Sequence, residues 1–256
     1  MNRETEAPEV LLAMETSGDV CSVAVFREGR FVAEHTFRHG MHLSERLMGH
    51  VDAVLRDGDV TLAHVTAFAV GIGPGSFTGT RIGVMTIKTL AAVLEKPVVG
   101  IGSLDALAAE YLGLAEVCVV PILPCRAGVV YTCPLMVSEA RPHPISEPAA
   151  LSLAELAALL VEREPQSVLF CGEAVGRYAA GLQELLSDAP FPVSFGQVRF
   201  PRASLVAQLA HDRLQINPAG EDVLSLVPLY ISPPPISAPK QEIPQPIENE
   251  TVSPSA

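Results

Sequence analysis

The residues best suited to chemistry in this chain are the small ones of the run Gly71-Ile72-Gly73-Pro74-Gly75-Ser76-Phe77-Thr78-Gly79-Thr80-Arg81-Ile82-Gly83. Glycine adopts positive φ and lets a ligand or another backbone come close. A loop that empties into a helix also aims free N–H groups at an anion. The spacing excludes the familiar versions of that chemistry. A dinucleotide fingerprint wants a third glycine where Ser76 stands and an acid about 20 residues later, where Lys96, Pro97 and Val98 are found. A Walker loop needs Gly-Lys-Ser/Thr, but Gly79 precedes Thr80 and Arg81. A nucleophile elbow places glycines two residues either side of its serine, and Pro74 and Thr78 flank Ser76 instead. The other reading is structural: Gly73, Pro74 and Gly75 make a tight turn, and Gly79 and Gly83 let one helix lie close against another.

The elements that must hold this run follow from periodicity. Thr66 to Gly71 reads as a buried strand (Phe68, Val70), and Arg81 to Val93 repeats apolar residues at helical spacing (Ile82, Met85, Leu90, Val93). Upstream, Val10–Met14, Cys21–Phe26 and Phe31–Phe37 form a three-strand meander with turns at 15–19 and 28–29, and Leu43–Arg56 is an amphipathic helix. Downstream come a strand at Pro97–Ile101 and a helix at Ser103–Leu112. Strands at Val117–Leu123 and Val129–Val137 follow, around a turn at Pro124–Gly128, so the opening hairpin recurs. A helix from Ser152, a strand at Ser167–Cys171, helices at Val175–Leu186 and Ser204–Leu214 and a final strand at Leu226–Tyr230 complete the order. The fold class expected is α/β, with two ribonuclease H-like lobes, mixed sheets and flanking helices. The divisions expected are a flexible N-terminus (1–8), an N-terminal lobe (9–103), a C-terminal lobe (104–231) and a disordered proline-rich tail (232–256).

With 48% hydrophobic residues in 256, the chain can bury a sizeable core. Its formal charge is −12, from 17 basic and 29 acidic residues, which disfavours direct contact with phosphate backbones. Any RNA contact is therefore expected through a partner. Cys21, Cys118, Cys125, Cys133 and Cys171 show no Cys-x-x-Cys spacing and read as thiols in a reducing cytoplasm. Glu4, Glu6 and Glu9 precede only a short apolar run, so neither a signal peptide nor a membrane span is expected. His35 and His39 have a His-x-x-x-His spacing but fall at the end of an edge strand, where that spacing does not align ligands; no metal is expected there.

Three segments together, Leu12-Ala13-Met14-Glu15-Thr16-Ser17, His42-Leu43-Ser44-Glu45-Arg46-Leu47 and Gly71 to Gly83, are similar to the bacterial TsaB family, with a likeness that covers Val10 to Tyr230 and is most specific between Ala69 and Gly83. The resemblance implies the actin-like ATPase (ASKHA) architecture. It also implies a place in the machinery that adds threonylcarbamoyl to the adenosine beside the anticodon of ANN-decoding tRNAs. The family's catalytic relative, TsaD, carries a metal-binding His-x-x-x-His just after the strand that follows the glycine run. Here Ser103 and Leu107 stand at those places, and leucine cannot ligate a metal. The usual aspartate after the first strand is Glu15, and the acids of the second hairpin are replaced by Pro124 and Val129.

What the resemblance implies is a non-catalytic scaffold without catalytic residues, metal or cofactor. TsaD would be its direct partner, with the ATPase TsaE reached through the TsaB–TsaD pair, tRNA bound only indirectly, no membrane contact, and a homodimer possible when the chain is alone. The helices Leu43–Arg56 and Arg81–Val93 are expected to pack side by side with their spacing set by Gly79 and Gly83, and to offer Arg46, Leu47, His50, Arg81, Met85 and Thr89 to TsaD. Thr16, Ser17, Gly73, Gly75 and Ser76 are the residues a vestigial phosphate site would use. The competing readings are an actin-like ATPase or kinase using those same residues, and an M22-type metallopeptidase.

Overall fold

The computed structural model describes residues 10–232 except 39, 41, 115, 139 and 140, so the expected N-terminal extension, the tail from residue 233 and His39 lie outside the described residues. The chain opens with β1 (Val10–Glu15), β2 (Val20–Arg27) and β3 (Arg30–Arg38), followed by α1 (Leu43–Asp57), β4 (Ala67–Gly71), α2 (Phe77–Leu94) and β5 (Val98–Ile101). These strands form one sheet in the order β3-β2-β1-β4-β5, with β2 antiparallel to β1 and β3, and β4 and β5 parallel to β1. Every residue of β1 and β4 is buried, which explains why they read as unbroken apolar runs, whereas the edge strand β3 is half exposed and mixed in character.

After α3 (Ser103–Ala109) come β6 (Cys118–Arg126), β7 (Val129–Thr132), β8 (Leu135–Val137), β9 (Pro142–Pro144), β10 (Ala149–Ser152), α4 (Leu153–Arg163), β11 (Val168–Cys171), α5 (Val175–Leu185), β12 (Val193–Phe195) and α6 (Ala203–Ile216). The second sheet runs β10-β7-β6-β11-β12, with the same sequence of strand directions as the first, and β8 and β9 form a side branch on β6. The duplicated ribonuclease H-like architecture read from the repeated hairpin is therefore present.

The packing assigns the helices. α1 and α2 cover one face of the first sheet, where Leu47, Val51 and Val54 meet Val84, Ile87 and Ala91 over Leu12, Phe68 and Val70. α6 covers the opposite face with Ala203, Ala207 and Ala210, small residues that let a helix approach a sheet closely. Its first N–H groups are held by that sheet too: Ala203 N donates to Ser22 Oγ (2.7 Å) and Ser204 N to Glu34 Oε1 (2.9 Å). α4 and α5 pack on the second sheet, and α3 bridges to it through Leu104 and Leu107.

Several local expectations are corrected. Residues from 203 onward were assigned to the second lobe, yet α6 and the segment after it return to the first sheet, where Leu226 joins the core. The strand predicted over 129–137 is two strands, β7 and β8, which pair with β6 in one continuous antiparallel register (Thr132 with Ile122, Leu135 with Val119) and are interrupted at Cys133-Pro134, where proline brings no N–H to the ladder. Leu226–Tyr230 is no strand: Pro228 has no donor, and the segment is held by Leu229 N on Ile72 O (2.7 Å) and by Lys88 Nζ on Leu224 O and Leu226 O (3.2 and 2.8 Å). α2 starts at Phe77 rather than Arg81, since Ser76 Oγ accepts from Gly79 N (3.2 Å) and caps the helix a turn earlier.

Candidate functional site

The glycine run is occupied by the chain itself. Gly71, Gly75, Gly79 and Gly83 recur every fourth residue, and the turn after β1 lies against all four. A Cβ added at Gly71 would fall on the Glu15 carboxylate, at Gly75 on Ser17 O, at Gly79 on Thr16 O and at Gly83 on Thr16 Oγ1, each well inside van der Waals contact. Hydrogen bonds fix this seating. Thr16 Oγ1 donates to Gly79 O (2.9 Å), Ser76 N donates to Ser17 O, and Ser103 N donates to Gly73 O (2.8 Å). Gly73 itself needs its freedom, with φ +95°. The expectation that Gly79 and Gly83 space α1 from α2 is therefore wrong. They seat α2 on the β1–β2 turn, because the carbonyl of Thr16 stands where a side chain at Gly79 would go and the Thr16 hydroxyl where one at Gly83 would.

Glu15, the acid in the place of the family's aspartate, is sealed beneath this turn. It is fully buried, and its carboxylate accepts from Ser17 N (2.7 Å) and from Ser103 Oγ (2.8 Å). Burial pushes its carboxyl above the usual range, and the bonds from Ser17 and Ser103 offset that only in part. Ser103 thus serves Glu15, and Leu107 is core. A carboxylate so enclosed is in no position to hold a cation or activate water in the cleft.

Of the five phosphate-facing candidates, Thr16, Ser17 and Gly73 are buried, and Gly75 and Ser76, with one edge of Ser17, border a cleft of about 210 Å³. Asp19 and Glu173 are the charged groups in its lining, which has no Lys or Arg. Burial and then Asp19 raise the Glu173 carboxyl, and Arg38 offsets that only in part. A polyphosphate entering here meets negative charge. Among the described residues no cluster of three or more His, Cys, Asp or Glu side chains has metal-binding geometry. His35 is engaged with Asp57, Nε2 to Oδ2 2.7 Å.

The outward side of α1 and α2 presents a different surface. On α2 the residues Gly79, Gly83, Ile87 and Ala91 form the inward column, whereas Arg81, Met85, Thr89 and Val93, also four apart, form the outward one. Met85 is 59% and Val93 74% exposed. α1 adds exposed Arg46 and Met48 and half-buried His50. His50 stacks on Phe37 with ring centroids 3.6 Å apart, and partial burial, His35 and Arg46 lower its pKa, which favours the neutral ring. Arg81 lies 4.9 Å over the Phe77 ring, which in turn packs against Tyr230. Leu47 is a correction: it is 1% exposed and belongs to the core, because it sits four residues after Leu43 and four before Val51 on the inward face. The structure thus brings Arg81, Met85 and Thr89 onto one column, with Arg46 and His50 on the neighbouring helix. Met48 and Val93 were not anticipated. The four-residue spacing of Val93 from Thr89 was the available signal.

Comparisons with known proteins are concordant. The family model described as "TsaD: tRNA N6-adenosine threonylcarbamoyltransferase" matches residues 38–194. The Bacillus subtilis tRNA threonylcarbamoyladenosine biosynthesis protein TsaB is 31% identical over 224 residues, covering 86% of this chain and 93% of that protein. The Escherichia coli protein of the same name is 35% identical over 98 residues, 38% of this chain and 42% of that one. Among solved structures, a Pseudomonas aeruginosa protein described as uncharacterized with similarity to peptidase YEAZ superposes with TM-score 0.72 at 27% identity, covering 88% of this chain and all (100%) of that one.

Proposed function

The chain belongs to the TsaB family of tRNA threonylcarbamoyladenosine biosynthesis proteins, and on that premise we propose that it acts there as a non-catalytic subunit that docks a TsaD-type threonylcarbamoyltransferase. The observation that carries the non-catalytic reading is the sealed Glu15: the one acid at the head of the glycine run is buried and spent on Ser17 and Ser103. The docking reading rests on the outward column of α2. An amphipathic helix with Met85 and Val93 in solvent leaves apolar surface that association would bury. Arg81 and Lys88 are the helix's only charges, in a chain of net charge −12, so the face favours an apolar partner surface with carboxylates at its rim.

On this reading Arg46, His50, Arg81, Met85 and Thr89 form the interface, joined by Met48 and Val93, and the same face pairs with a second copy when no TsaD is present. The TsaB–TsaD pair then offers a composite surface to TsaE. The tRNA is reached only through these partners, in the cytoplasm, and the chain needs no cofactor of its own. The kinase and metallopeptidase readings gain nothing from the cleft lined by Asp19 and Glu173.

Co-expression of Met85→Glu with the host's own TsaD tests the proposal. The variant is expected to keep its circular dichroism, to lose co-purification with TsaD and to fail in tRNA modification; undiminished co-purification would refute the assigned face. Calorimetry with Mg-ATP tests the other half. Feeble or absent heat is expected, and tight binding with turnover would restore the kinase reading.

A further inference from the structure

Beside the acidic cleft lies a second cavity, of about 240 Å³, between the start of α2, the β6–β7 hairpin and the segment that ends the described chain. Its walls are aromatic and imino: Pro74 and Phe77 from the first lobe, Pro124 and Tyr131 from the second, and Tyr230, whose ring lies 5.0 Å from that of Phe77. Thr80 also lines it. That residue is 3% exposed, and its Oγ1 is buried with no hydrogen-bond partner. A buried hydroxyl lacking an acceptor is costly.

Flat apolar faces with hydroxyl donors between them suit an extended proline-rich strand, whose rings stack on aromatics and whose carbonyls accept while its prolines bring no N–H to satisfy. The chain supplies such a strand at this place. Ile231 and Ser232 form part of the cavity wall, the Ser232 side chain bonds with Tyr131, and the next residues are Pro233-Pro234-Pro235-Ile236. In polyproline II three residues span about 9 Å, at 3.1 Å per residue.

We propose that this cavity is the docking site of the chain's own segment Pro233–Ile236, which bridges the two lobes from inside and occupies the space a cleft ligand would need. Being tethered, the segment competes at high effective concentration. This inference does not depend on the TsaD interface, which lies on the exposed column of α2.

Cys125 reports on it, because it lines the same cavity and is half-buried, whereas Cys21, Cys118, Cys133 and Cys171 are buried. In the full chain carrying Pro233→Gly, Pro234→Gly and Pro235→Gly, maleimide labelling of Cys125 is expected to run about tenfold faster than in the parent, the change that follows when about 1.4 kcal/mol of docking is lost. A synthetic peptide of residues 232–246 should slow it again. Continued protection of the four buried thiols shows that the variant is folded, and Cys125→Ser should abolish the signal. Equal rates in parent and variant would overturn the proposal. So would protection of the parent that rises with protein concentration, which marks a second copy, or protection that requires Mg-ATP, which marks a nucleotide.

Discussion

The two sheets repeat one strand order, yet the helix that follows the fourth strand of each is seated differently. In the first, α2 rests on backbone: the carbonyls of Thr16 and Ser17 occupy the positions where Gly79 and Gly75 would carry side chains. In the second, α5 rests on side chains: a Cβ at Gly181 would make an ordinary contact with Leu153 Cδ1 at 3.6 Å. Thr16 and Ser17 of the first hairpin's turn are accordingly buried, with Glu15 beneath them, whereas Arg126, Ala127 and Gly128 of the second hairpin are exposed. A side chain can rotate away from an added methyl group, but a carbonyl fixed at the end of a sheet cannot. Glycine is therefore obligatory along α2 and incidental at Gly181 of α5; the second lobe keeps its obligatory glycine before the helix, at Gly172, where φ is +106° and an added Cβ would fall on Ile122 O.

Replacing glycines in both lobes should break that symmetry most sharply. Gly79→Ala is expected to cost about 3 kcal/mol or more in urea unfolding through overpacking against Thr16 O, while Gly181→Ala should be neutral or stabilising by about 0.5–1 kcal/mol as a helix-interior glycine is removed. Comparable costs at the two positions would erase the distinction.

Leu47→Ala on the inward face of α1 should cost about 2–5 kcal/mol, whereas Met85→Glu on the outward column of α2 should shift stability by only about 0.5 kcal/mol while removing partner binding. The earlier candidate Leu47 therefore tests the core and not the interface.

Ser103→Ala removes one of the donors on Glu15. A loss of about 2 kcal/mol is expected while the carboxyl is ionised, and it should shrink as pH falls through the raised folded-state pKa, where the carboxyl holds its own proton.

The smallest effect is the pH dependence itself. The Glu15 carboxyl is raised in the folded state above its ordinary value of 4.5, so the native protein binds more protons than the unfolded chain between the two pKa values. Stability from this group is full below the unfolded value and declines as pH rises through the folded one. Glu15→Gln should flatten that decline in thermal melts, leaving the smaller share that comes from the raised carboxyls of Asp105, Glu173 and Asp212. An unchanged pH profile in the variant would remove Glu15 as its source.

Much of this was legible from residue order because it depends on local periodicity. The meander Val10–Phe37, α1, β4 and most of α2 follow from apolar spacing alone, and the repeated hairpin pointed to the duplicated sheet. The short strands β9, β10 and β12 were not legible, since three or four residues carry no period and pair only because a neighbouring strand is available. For the surface, spacing named Arg81, Met85 and Thr89 without saying which helical column faces outward, and it misplaced Leu47, because an amphipathic pattern has the same form whichever way the helix is turned.

Sequence by itself determined the family likeness, the strand and helix types and the placing of Ser103 and Leu107 after the strand that follows the glycine run, since these are matters of residue identity and of spacing along one chain. Tertiary structure alone decided what fills the glycine cradle, that Ser103 is bound to Glu15 across 88 residues of chain, and that α6 returns to the first sheet. Those contacts join residues distant in the chain, and their energy depends on burial and on the exact approach of backbone to backbone, quantities that come into being only when the sheets assemble.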